Sequence, residues 1–136
     1  MEFIQGSEKL ISIFGHWPSF HDAEVHWIKA ERGSVDHISI SMAVQVWDYG
    51  PEVDERGYFK TFSHTLAELR FSECEDLEIS LDKFNHQNVL SCIEIERRED
   101  GKMDVLLESI FGIGGKLKCR YIEVLNAEAY SDPRFN

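Results

Sequence analysis

Ile38, Ile40, Met42, Val44 and Val46 alternate strictly with His37, Ser39, Ser41, Ala43 and Gln45. A period of two predicts a strand with one core face and one mostly polar face. The same period places Ala23, Val25 and Trp27 on one face of an earlier strand and Glu24, His26 and Ile28 on the other, and it recurs in Leu77, Ile79 and Leu81. Tyr58 to Phe71, rich in aromatic and β-branched residues, supplies one long or two shorter strands with Leu66, Ala67, Leu69 and Phe71 as apolar members. Leu90, Cys92, Ile93 and Ile95 lead into Asp100-Gly101, a tight-hairpin signal that predicts positive φ at both residues, and the chain returns through Met103, Val105 and Leu107. After the bend Gly112-Ile113-Gly114-Gly115, Leu117, Cys119, Tyr121 and Glu123 oppose Lys118, Arg120, Ile122 and Val124 on a final strand.

Helical spacing occurs once, in Leu10, Ile11 and Phe14, between a capping Ser7 and a terminating Gly15. Turns are expected at Gly33-Ser34, and exposed loops at Trp47 to Gly57 and at Asn85 to Asn88. These elements predict a mostly β chain: an antiparallel sandwich or open barrel of about seven strands behind one short N-terminal helix. Its 136 residues fit one domain, 1–136.

Charge narrows the partners. Twenty-five acidic residues oppose fourteen basic ones, a formal net charge of −11. Phosphate backbones are repelled by such a field, so nucleic acid is not an expected partner. A basic protein is attracted, although acidity also serves plain solubility. The longest apolar runs fall far short of a membrane span and the first residues lack a signal-peptide pattern, which points to the cytoplasm. Cys74, Cys92 and Cys119 are odd in number and lack CxxC spacing, so they read as reduced, mostly buried thiols.

Candidate chemistry is thin. His21 and Asp22 are neighbours that a strand would aim at opposite faces, which favours a buried structural pair over an acid-base pair. The six histidines lack strand or helix ligand spacing, so no metal is expected, and no cofactor. The glycine run at 112–115 precedes a strand pattern, not a helix, and reads as a turn or bulge. The acidic run Glu73, Glu75, Asp76 and Glu78 adds to the negative field and reads either as part of an interface or as a charge-blunted turn and strand edge. In the loop from Trp47 to Glu55, two aromatics stand among carboxylates, an arrangement suited to a protein interface. Trp47, Asp48, Tyr49, Glu52, Asp54 and Glu55 are therefore the candidate partner-binding residues. The competing reading is a small-molecule-binding or hydrolytic β domain using His21 and His86.

The segment Trp17-Pro18-Ser19-Phe20-His21-Asp22-Ala23-Glu24 resembles the signature of the immunity protein 50 family. Leu69-Arg70-Phe71, Phe84-Asn85-His86-Gln87-Asn88-Val89 and the glycine-rich turn leading to Lys118-Cys119-Arg120 extend the likeness from about residue 12 to about residue 125. The resemblance implies a mostly β fold and a non-enzymatic role: binding a cognate toxin domain of a bacterial polymorphic toxin and occluding it. It implies no toxin-contact residues, and it leaves monomer and homodimer open.

Overall fold

The computed structural model describes residues 2–33 and 36–135. Its elements are β1 (Ile4–Gln5), α1 (Glu8–Phe14), β2 (Glu24–Arg32), β3 (Ile38–Val53), β4 (Phe59–Ile79), β5 (Val89–Arg97), β6 (Met103–Phe111), β7 (Gly115–Cys119) and β8 (Tyr121–Ala129), with short 3-10 turns at Leu81–Lys83 and Pro133–Phe135. The sheet order is β1-β8-β4-β3-β2-β5-β6-β7, and β7 returns to pair with β4. Six strands thus close into a barrel whose seam is the β2–β5 junction, held by a single register pair, Glu24 with Val89. All pairings are antiparallel except β1 with β8. The expected mostly β chain with one short N-terminal helix is observed, with eight strands for the expected seven or so and with closure through β4–β7 in place of a sandwich or an open barrel.

Closure rests on the length of β4. Its first half pairs with β8 and its last residues pair with β7 along the same edge, while β3 covers the other edge. The separate strand expected at Leu77 is therefore the end of β4, and Leu81 lies beyond it in a 3-10 turn, exposed. Glu73, Glu75, Asp76 and Glu78 do not blunt an edge: each faces a cation, including Lys102, Lys118 and Lys116 on the neighbouring segments.

The barrel is filled with side chains, among them Met42, Val44, Leu69, Phe71, Leu90, Met103, Val105, Leu107 and Leu117. Leu10 and Phe14 of α1 and the buried Phe20 join this core. The helix ends where Gly15 turns left-handed and donates its N–H to Ile11; Ser7 makes no side-chain cap.

Three departures from simple alternation have local causes. A bulge at His26 puts Val25 opposite Val44 but Trp27 opposite Ala43, so Ile28 packs against the core and Trp27 is partly exposed. At Arg120 the chain breaks between β7 and β8, with Arg120 N–H donating to Ser72, so buried Cys119 is followed by exposed Tyr121 and buried Ile122. The expected single last strand is thus two. In β3 both faces are buried from Ile40 to Val46, because Gln45 on the supposedly polar face lies under the C-terminal tail.

The 98–102 turn also differs from expectation. Gly101 has φ +84°, whereas Asp100 is not left-handed. Arg98 N–H donates to Lys102 and Gly101 N–H to Arg98, the pattern of a three-residue hairpin loop with a terminal left-handed glycine. Gly33 N–H donates to His37 at the preceding turn; Ser34 lies outside the described residues.

Candidate functional site

The expected loop from Trp47 to Gly57 is a hairpin arm. Beyond Val46 and Thr65, β3 and β4 pair with each other and, among the described residues, no third strand joins them: Asp48 faces Phe62, Tyr49 faces Thr61 and Val53 faces Phe59. Pro51 is tolerated because the ladder is interrupted by a register shift between Tyr49 and Val53. At the tip Asp54 N–H donates to Tyr58 O, and Asp54 Oδ1 accepts the N–H groups of Arg56 and Tyr58. Those backbone donors, Tyr58 first, hold the Asp54 carboxyl below its ordinary pKa.

The six candidate residues are all on this arm, but they do different work. Trp47 is half-buried with its ring tilted over His64 at 5.2 Å. Tyr49 O–H donates to Asp22 Oδ2 at 2.5 Å, tying the arm to the turn before β2; burial and that carboxylate push the phenol pKa up. Glu52 pairs loosely with Lys60 at 3.5 Å, Asp54 shapes the turn, Asp48 is half-buried and Glu55 is exposed.

Sequence reading placed a strand at the arm's return but read the outgoing segment as loop and did not single out the return strand's side chains. Tyr58 is 68%, Phe59 59% and Phe62 50% exposed, beside Tyr49 and Val53 on the outgoing strand. Their aromatic and β-branched character gave a strand signal and nothing to show that the strand outruns its neighbours. Phe59 and Val53 are cross-strand partners and share a face; Phe62 lies over Gly50 on the other, 3.6 Å from where a Cβ would stand. The ribbon thus carries several exposed aromatic side chains outside the filled core.

His21 and Asp22 are not in a strand. They form a turn in which Phe20 and Asp22 both have left-handed φ, and Phe20 O accepts the Ala23 N–H. The two side chains meet, His21 Nε2 to Asp22 Oδ2 at 3.5 Å, and His21 Nδ1 contacts Ser91 O at 3.3 Å, but His21 is exposed, not buried. His86 is exposed on the 85–88 loop. In that loop Asn88 is buried, its Oδ1 accepting from Asn85 and Ile113.

A polar cluster of different composition surrounds Gln45. It joins His26, His64 and Asp132, and Arg134 links Asp132 to Glu24. Gln45 is fully buried and Asp132 nearly so, and their hydrogen-bonding groups are directed at one another, so the cluster braces the tail against β3. No spacing in the sequence signals it, since its members come from four separate elements.

Cys74 and Cys119 are buried free thiols whose pKa values burial pushes up to about 11 and about 12. Cys92 is not core: its Sγ lies 3.2 Å from Glu108 Oε2 on the outer face of β5–β6, and burial together with Glu108 keeps it protonated. Among the described residues no helix is long and apolar enough to cross a membrane.

A single-domain β barrel with a filled interior and an aromatic ribbon offers a surface to bind with. The family model of immunity protein 50 matches residues 6–130, and the chain belongs to that family. Neither a curated protein nor a solved structure matches it.

Proposed function

We propose that this protein is a non-enzymatic immunity protein that binds a cognate toxin domain in the cytoplasm and blocks it by occlusion, with the β3–β4 arm as the contact surface. The observation that carries this reading is the set of exposed side chains Tyr49, Val53, Tyr58, Phe59 and Phe62 on a two-stranded ribbon tied to the barrel by the Tyr49–Asp22 hydrogen bond. Aromatic anchors of this kind supply most of the energy of protein interfaces, and the carboxylates of Asp48, Glu52 and Glu55 around them suit a basic partner. The net charge of −11 extends that attraction beyond the contact.

Co-expression with the toxin domain encoded beside its gene tests the reading. Growth is restored by the wild-type chain and not by Tyr58→Ser/Phe59→Ser, which changes exposed side chains only. Growth restored equally by both moves the contact elsewhere, and no protection by the wild type ends the immunity reading.

A further inference from the structure

A second surface lies at the far end of β4. Asp76 and Glu78 of β4, Lys116 and Lys118 of β7, Asp104 and Leu106 of β6, and Glu94 and Glu96 of β5 line a groove of about 940 Å³. That is at the upper end of the roughly 300–1,000 Å³ of ligand pockets. The register sets two rows across it. Glu94 faces Leu106, which faces Lys116, which faces Glu78; Glu96 faces Asp104, which faces Lys118.

The charges along these rows are not balanced. The lysines lean to the β4 wall, Lys116 toward Glu78 and Lys118 toward Asp76, each at 3.5 Å. Arg98 engages Asp104 at 2.5 Å. Glu94 and Glu96 make no ion pair among the described residues, and Glu96 stands directly opposite Asp104, an arrangement that costs stability in a sheet. Glu108, next on the same strand face beyond Leu106, adds a further carboxylate. Between them Leu106 is partly exposed.

We propose that this groove docks an extended segment of a protein partner carrying Lys or Arg at alternate positions. Glu94 and Glu96 are two residues apart on one strand, about 6.6 Å at 3.3 Å per residue. Alternate side chains of an extended segment along β5 have that same spacing, so two cations meet two carboxylates. Their aliphatic stems then cover Leu106. The surface is separate from the arm, and the proposal rests on the immunity reading only in naming the toxin as the natural source of the segment.

The test uses the full chain and a fluorescein-labelled nine-residue peptide of alternating arginine and serine, followed by anisotropy and amide chemical-shift mapping. Wild type binds with shifts centred on Glu94, Glu96, Leu106 and Lys116. Glu94→Gln/Glu96→Gln weakens binding about tenfold and melts no lower than wild type, because like-charge crowding is relieved. Glu94→Lys/Glu96→Lys instead captures the peptide with glutamate in place of arginine. Undiminished binding to the double Gln variant, shifts confined to other faces, or failure of the charge-swapped pair overturns the proposal. With the toxin as ligand, full affinity of the double Gln variant overturns the groove and leaves the arm standing, whereas failure of wild type to bind toxin, with peptide binding intact, removes the immunity reading alone.

Discussion

Gln45 Nε2 donates to the Asp132 carboxylate at 2.8 Å, joining residues 87 apart in the chain. A carboxylate only accepts, so this contact fixes the amide. Gln45 Oε1 then faces His26 Nε2 at 2.8 Å, which carries a proton, and the amide N–H faces His64 Nδ1 at 3.4 Å, which does not. His64 Nε2–H is left for Thr61 Oγ1 at 2.8 Å. One hydrogen-bonded order therefore runs from the tail through β3 to the root of the arm.

Gln45→Leu keeps the bulk and removes the centre of this order. Asp132 and His26 each lose a partner in or near the interior, and the expected loss is about 1–3 kcal/mol. Urea unfolding measures it; a midpoint equal to wild type contradicts the assignment.

Acid should act in two stages. Burial, the largest cause, holds His64 below its ordinary 6.5, and the Arg134 hydrogen bonds hold Asp132 well below 3.8. Both pKa values are depressed in the fold, so both groups contribute stability above their unfolded pKa and lose it as pH falls. The His64 stage begins as pH drops below about 6.5 and the Asp132 stage below about 3.8, where Asp54 and Asp100, also depressed, add to it, as Glu75 does from about 4.5. Melting temperature against pH should lose its upper step in His64→Gln and keep the lower one. An unchanged upper step in that variant assigns it to another group.

Two glycines separate backbone strain from collision. Gly101 has φ +84° in open space, so Gly101→Val costs about 1 kcal/mol or more through φ alone. Gly112 has φ +74°, and a Cβ there would stand 2.4 Å from Asn88 Oδ1 and 2.5 Å from Gln87 O. Even Gly112→Ala is expected to cost more than Gly101→Val, and thermal melts in the reverse order contradict this.

The arm is tethered by its phenol. Tyr49→Phe removes the bond to Asp22 and is expected to cost about 0.5–1.5 kcal/mol. His21→Ala, at an exposed position, should stay within about 0.5 kcal/mol of wild type. A larger loss at His21 than at Tyr49 would make the histidine the structural member of the turn.

Much of the fold was legible because alternation reports directly which residues face a core. Met42, Val44, Val105 and Leu117 are buried as their pattern predicts. Alternation fails where one residue is added or the ladder breaks, and neither His26 nor Arg120 carries a side-chain signal for that. The arm was hidden for a different reason: Gly50-Pro51 and dense acid read as loop, yet Gly and Pro are compatible with a bulged two-stranded ribbon. Gln45 looked solvent-facing because its cover, Asp132, comes from the distant tail.

Toxin binding through the arm is tested most directly by stopped-flow association and dissociation of the cognate toxin domain, with wild type and Tyr58→Ser/Phe59→Ser, across a salt series. Exposed charges are screened over about 8 Å at physiological ionic strength, so salt should slow association far more than it speeds dissociation. Loss of the two anchors should leave association nearly unchanged and raise the off-rate at least tenfold. An off-rate equal to wild type in a variant that melts normally would contradict the arm as the binding surface.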